Sequence, residues 1–133
     1  MLGNLFSRFI DRDDIKTDEP MKNYTSFKIG GPADIMIMPK DLRQLQDTVR
    51  LCKEMNIPFF VVGNGTNLIV KDGGVRGVVI NIMEYFKRYS VHGDIIEAEA
   101  GVLLSKLANI ALQHELTGLE FASGIPGTLG GAV

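Results

Sequence analysis

Glycine punctuates this chain so closely that most of it can form only short elements. Three apolar runs of strand length, residues 57–62, 67–70 and 77–82, are separated by glycines, and the last sixteen residues hold five more. Glycine weakens the interior of an element but supplies the positive φ that tight turns need. The spacing therefore predicts short strands joined by turns, with Lys71, Asp72, Gly73 and Gly74 forming one such turn. Two stretches are free of this punctuation. In residues 41–55, Leu42, Leu45, Val49, Cys52 and Met55 recur at three or four positions, with Asp41 placed to cap the helix. In residues 103–116, Leu104, Leu107, Ala108, Ala111 and Leu112 do the same. A strand over 34–39, ended by Pro39, and a hairpin of 88–92 and 95–100 around Gly93 and Asp94 complete an α+β pattern.

A chain of 133 residues, 45% hydrophobic and 23% charged, suits one compact domain that buries roughly two thirds of its unfolded surface. With 14 basic against 16 acidic residues there is no positive excess to neutralise phosphates, so nucleic acid is not an expected partner. Cys52 is the single cysteine; on the helical stripe it reads as a small core residue, and it suits a reducing compartment, the cytoplasm. No stretch approaches the ~20 apolar residues of a membrane span. Residues 1–10 suit a short docking helix or a frayed terminus, and 11–22 read as a charged, solvated connection, so the domain proper is expected to start near Tyr24. His92 and His114 stand too far from other ligand types for a metal site. Glu97 and Glu99 alternate with apolar residues and share the outer face of a strand.

Two loops carry candidate chemistry. In Gly63, Asn64, Gly65, Thr66, Asn67 and Leu68, an apolar strand opens into small and amide residues whose backbone N–H groups can form a nest for phosphate oxygens. A plain β-turn is the competing reading. Leu68 stands where a third glycine would complete the dinucleotide fingerprint, and a strand-like run follows instead of a helix, so the Rossmann reading fails. In Gly124, Ile125, Pro126, Gly127, Thr128, Leu129, Gly130 and Gly131, proline stiffens a segment that four glycines open to close contact. Together the loops suit one extended, phosphate-bearing ligand.

Three blocks resemble a known family: residues 23–33 (NYTSFKIGGPA), 63–70 (GNGTNLIV), and Gly118, Leu119, Glu120 and Phe121 running into 124–133 (GIPGTLGGAV). The family is that of the bacterial UDP-N-acetylenolpyruvoylglucosamine reductases. It usually has serine in place of Thr66, which keeps a small hydrogen-bonding loop. The resemblance implies an FAD-binding domain of the p-cresol methylhydroxylase type, with a first subdomain over about 23–83 and a second beginning at about 84 and truncated at 133. Carried over by position, Gly63, Asn64, Gly65, Thr66, Asn67 and Leu68 hold the FAD pyrophosphate. Gly124, Ile125, Pro126, Gly127, Thr128, Gly130 and Gly131 line the flavin and its phosphates.

The same resemblance implies a reaction in which NADPH reduces FAD, and hydride then passes to UDP-N-acetylglucosamine enolpyruvate, giving UDP-N-acetylmuramate for peptidoglycan, cell-wall growth and division. Its catalytic arginine, glutamate and serine are expected beyond Val133, so this chain alone is expected to be inactive and to bind FAD weakly or not at all. A non-catalytic nucleotide- or protein-binding module is the alternative. A different flavin oxidase of this fold would often carry a histidine or cysteine near these loops, and neither loop has one.

Overall fold

The computed structural model describes residues 2–133. Its centre is a four-stranded sheet in the order β1-β2-β4-β3, formed by β1 (Ile15–Pro20), β2 (Pro32–Ile37), β3 (Phe59–Val62) and β4 (Val75–Asn81). β2, β4 and β3 run parallel, and β1 pairs antiparallel with β2. Because side chains alternate across a strand, the continuous apolar runs of β2 and β4 fill two cores at once. Ile35, Ile37, Val78 and Ile80 pack with Phe6, Ile10 and Cys52 on one face, and Met36 and Val79 pack with Met21, Val62 and Val70 on the other.

The segment expected to be a solvated connection is partly sheet. Ile15 pairs with Ile37 and Pro20 with Pro32, so β1 covers what would otherwise be an open edge of β2. Its charged residues suit an edge strand, where one side faces water. Ahead of it, α1 (Gly3–Phe6) places Phe6 and Ile10 in the core, and Phe6 meets Phe9 edge to face at 6.2 Å. This is the docking-helix outcome, and Met1 lies outside the described residues.

α2 (Leu42–Glu54) begins where expected, with the Asp41 carboxylate accepting from the Gln44 N–H at 2.8 Å. Its buried stripe is shorter than the sequence pattern, since Leu42 and Met55 overhang the sheet and are more than half exposed. Thr48 is fully buried between them, its hydroxyl satisfied by the Gln44 carbonyl at 2.8 Å.

Residues 67–70 are not a strand. Parallel pairing of β3 with β4 obliges the whole of 63–74 to cross the sheet face, which puts Val70 on top of the sheet against Met21. The crossover ends in the expected turn, where the Gly74 N–H donates to the Lys71 carbonyl at 2.9 Å and Gly74 takes φ +77°. β3 is an edge strand with Phe60 and Val61 exposed, not the fully buried strand its composition suggests.

The hairpin of β5 (Tyr89–His92) and β6 (Ile95–Ala98) turns at Gly93, φ +63°. α3 (Leu104–Gln113) follows, with Ile110 buried and Leu112 exposed, one position round from the expected stripe. Leu104, Ala108, Ala122 and Leu129 form a small third core, and a short α4 (Leu129–Ala132) ends the chain.

Candidate functional site

The parallel sheet decides where the first glycine loop lies. β3 releases the chain at its C-terminal end, and residues 63–68 turn over that end before crossing back. The second loop arrives from the other half: the Leu104 N–H donates to the Gly127 carbonyl (3.0 Å), and the Leu129 and Gly130 N–H groups donate to the carbonyls of Val102 and Ala100 (2.8 and 2.9 Å). The two loops face each other across a cleft of about 340 Å³.

All of Gly63, Asn64, Gly65, Thr66, Asn67 and Leu68 line this cleft, as do Ile125, Pro126, Gly127, Thr128 and Gly131. Gly124 and Gly130 do not. Gly124 closes a 3-10 turn, and Gly130 packs where a Cβ would stand 2.7 Å from that of Ala100. Sequence reasoning missed Leu104 and Val61, which add apolar wall. Their signal was masked, because both also fit an ordinary core pattern.

Two glycines carry the geometry. A Cβ on Gly63 would sit 2.7 Å from Thr128 Oγ1, so the loops approach as closely as backbone allows. Gly65 takes φ +65°, and a Cβ there would lie 1.9 Å from the Tyr24 carbonyl oxygen. The strap beneath is the stretch 23–26, whose Ser26 N–H donates to the Gly65 carbonyl at 3.1 Å. Thr128 caps α4, accepting from the Gly131 N–H at 3.2 Å, and Thr66 donates a long bond of 3.4 Å to Asn64 Oδ1. Asn67 is exposed and adds no such bond.

Among the described residues no ionisable side chain lines the cleft. Its polar groups are backbone amides, hydroxyls and amide side chains, which suit phosphate oxygens through oriented N–H dipoles without a counter-charge. On the far side of Gly63 and Asn64 a second, polar recess of about 270 Å³ is lined by Tyr24, Ser26, Lys28 and Asn81 among others. Asn81, buried at the end of β4, accepts from the Met83 N–H at 2.8 Å. Tyr24 lies below, its hydroxyl donating to Glu19 at 2.7 Å and accepting from Lys16 at 2.9 Å; burial first of all raises its pKa.

Ionisable groups outside the cleft have structural settings. Burial raises the Cys52 thiol and leaves it inert at neutral pH. The His114 ring meets the Ile110 carbonyl at 2.9 Å at the end of α3. Arg88 pairs with Glu99 at 2.9 Å beside the hairpin. Among the described residues no group of three His, Cys, Asp or Glu could hold a metal ion, and no helix is long and apolar enough to cross a membrane.

Residues 33–133 match the model of the FAD binding domain family. The chain is 54% identical over 127 residues to a UDP-N-acetylenolpyruvoylglucosamine reductase of Alkaliphilus oremlandii, covering 96% of this chain and 42% of that one. The crystal structure of the corresponding reductase from Thermus caldophilus aligns at TM-score 0.63 and 33% identity, over 85% of this chain and 39% of its own. p-Cresol methylhydroxylase, at 17% identity, shares the fold at TM-score 0.54 over 84% of this chain and 24% of its own. This chain therefore spans about two fifths of the length of the reductases it matches. By fold, by glycine-loop cleft and by sequence, it belongs to the FAD binding domain family.

Proposed function

We propose that the cleft between residues 63–68 and 125–131 holds the pyrophosphate and adjoining parts of FAD, and that the chain is the flavin-binding portion of a UDP-N-acetylenolpyruvoylglucosamine reductase. The observation that supports this most is the convergence of two glycine loops, distant in sequence, on one uncharged cleft. The residues fit the group. Gly63 lets the Thr128 side chain close in where a Cβ would stand 2.7 Å from its hydroxyl, and Gly65 turns the loop at positive φ so that successive amides can point inward. Thr66 and Thr128 offer hydroxyls, while Ile125, Pro126 and Leu104 offer a flat apolar wall that keeps water off a ring.

Bound FAD would supply hydride transfer, from NADPH to the enolpyruvyl double bond of a UDP-sugar. What this chain's residues do is bind and orient. A cleft without an ionisable side chain has no acid to complete a reduction, so the chain by itself is expected to be catalytically inactive. In this reading the expected division near residue 83 separates the two walls of the site. We place the protein in the cytoplasm, acting on peptidoglycan precursors, with no nucleic acid, membrane or metal partner.

The reading is tested by flavin-fluorescence quenching with this chain and with Gly63→Val, which fills the closest approach. Saturable quenching that the variant abolishes supports it. Equal quenching by both chains would move the flavin elsewhere.

A further inference from the structure

The cleft is a gap between two packing units. The two cores on either face of the sheet contain no buried residue beyond Ile80, and the core under α3 contains none before Leu104. Between them run residues 81–88, against which Gly101 packs so closely that a Cβ would meet the carbonyls of Phe86 and Ile82. The width of the cleft therefore depends on how this connector is held, as well as on the direct approach of Gly63 to Thr128.

Ile82 and Phe86 are buried along the connector and the Ile82 N–H donates to the Val62 carbonyl at 3.2 Å, and a polar cluster ties its middle to the sheet. Asp14 is buried, and its backbone is fixed to the sheet by the Met38 N–H, which donates to the Asp14 carbonyl at 3.0 Å. Its Oδ1 accepts from the Tyr85 hydroxyl at 2.8 Å, across 71 residues of sequence, while its Oδ2 faces Lys40 Nζ at 3.2 Å. Lys40 also pairs with Asp11 and stands over the Tyr85 ring, 5.7 Å from its centroid. Burying a carboxylate is costly unless it is paired and hydrogen-bonded, so Asp14 gains from holding both partners at once. One of those partners belongs to the first unit and the other to the connector.

We propose that Tyr85 is a positioning residue for the cleft: clamped by Asp14 and Lys40, it sets the angle of the connector and so the separation of residues 63–68 from residues 125–131. The proposal rests on the FAD reading for its functional consequence but not for its geometry. Tyr85→Phe removes the hydroxyl while Lys40 still pairs the buried carboxylate, and the first unit keeps both of its apolar cores. The variant therefore loosens the orientation of the units without unfolding them.

The test places spin labels at Gln46→Cys on α2 and Asn109→Cys on α3, both exposed, in a Cys52→Ala background. The interlabel distance distribution is measured with and without Tyr85→Phe, alongside thermal unfolding and FAD titration. The expected result is a broader distribution, FAD affinity lower by several-fold, and a single unfolding transition whose midpoint falls by about 5 °C, the loss of one charged hydrogen bond in a domain of this size. An unchanged distribution overturns the proposal whatever happens to FAD. A broadened distribution with unchanged affinity also overturns it. Should the parent chain not bind FAD at all, the outcome already expected of a chain that spans two fifths of the matched reductases, the distance distribution alone decides for or against the clamp.

Discussion

Gly63 and Gly65 stand two residues apart in one loop, yet they fail differently when changed. At Gly65 an alanine meets both a left-handed backbone and the rigid Tyr24 carbonyl, neither of which can yield cheaply. Gly65→Ala is expected to cost about 2 kcal/mol or more, read from a urea midpoint. At Gly63 the obstacle is the Thr128 side chain, which can rotate away but then leaves the Gly131 N–H uncapped and the cleft narrowed. Gly63→Ala should spare most of the stability and lower FAD affinity, separable by running both measurements on one sample. The sequence made Gly63 legible, because close approach is what a glycine after a strand usually serves. It could not reveal the partner of Gly65, since the strap of residues 23–26 reaches the loop only through the tertiary fold.

Among elements, the N-terminal segment shows how a charged composition can mislead. Residues 11–22 carry the charges of a linker, but β2 presents an open edge and β1 fills it, anchored ahead by α1. Phe6→Ala should therefore cost about 3–4 kcal/mol in chemical denaturation, the price of an emptied aromatic core position rather than of a frayed end. Periodicity found α2 and α3 because their buried faces are long enough to set a helical repeat. It misassigned residues 67–70, because a β-rich tetrapeptide lying across a sheet face has the same composition as one within it. The hairpin predicts an effect of pH. Burial alone would raise Glu99, but the hydrogen bonds from the Arg88 side chain and backbone outweigh it and hold the carboxyl below its ordinary range. A lowered folded-state value stabilises the native state above the ordinary carboxylate range, and that contribution is lost as pH falls through the lowered value. Glu99→Gln should flatten this part of the acid-unfolding curve followed by circular dichroism, by a small amount because the Arg88 end of the pair is largely in water.

At the scale of the whole molecule, the α+β class and the two loops were readable from glycine spacing and apolar runs, and one shared phosphate-bearing ligand was expected of them, but the way they meet was not. It arises from two tertiary facts, the parallel pairing of β3 with β4 and the seating of Gly127 and Leu129 against the segment before α3. The absence of charge from the cleft is likewise visible only once both walls are assembled. This arrangement makes one central claim, that a single ligand touches both loops at once. The most direct measurement is a titration of the isotope-labelled chain with FAD, followed by amide chemical shifts, which registers even weak binding residue by residue. The predicted result is that the amides of Gly63, Gly65, Thr66, Gly127 and Gly131 shift together along one binding curve. Shifts confined to one loop, or shifts elsewhere on the surface, would contradict it.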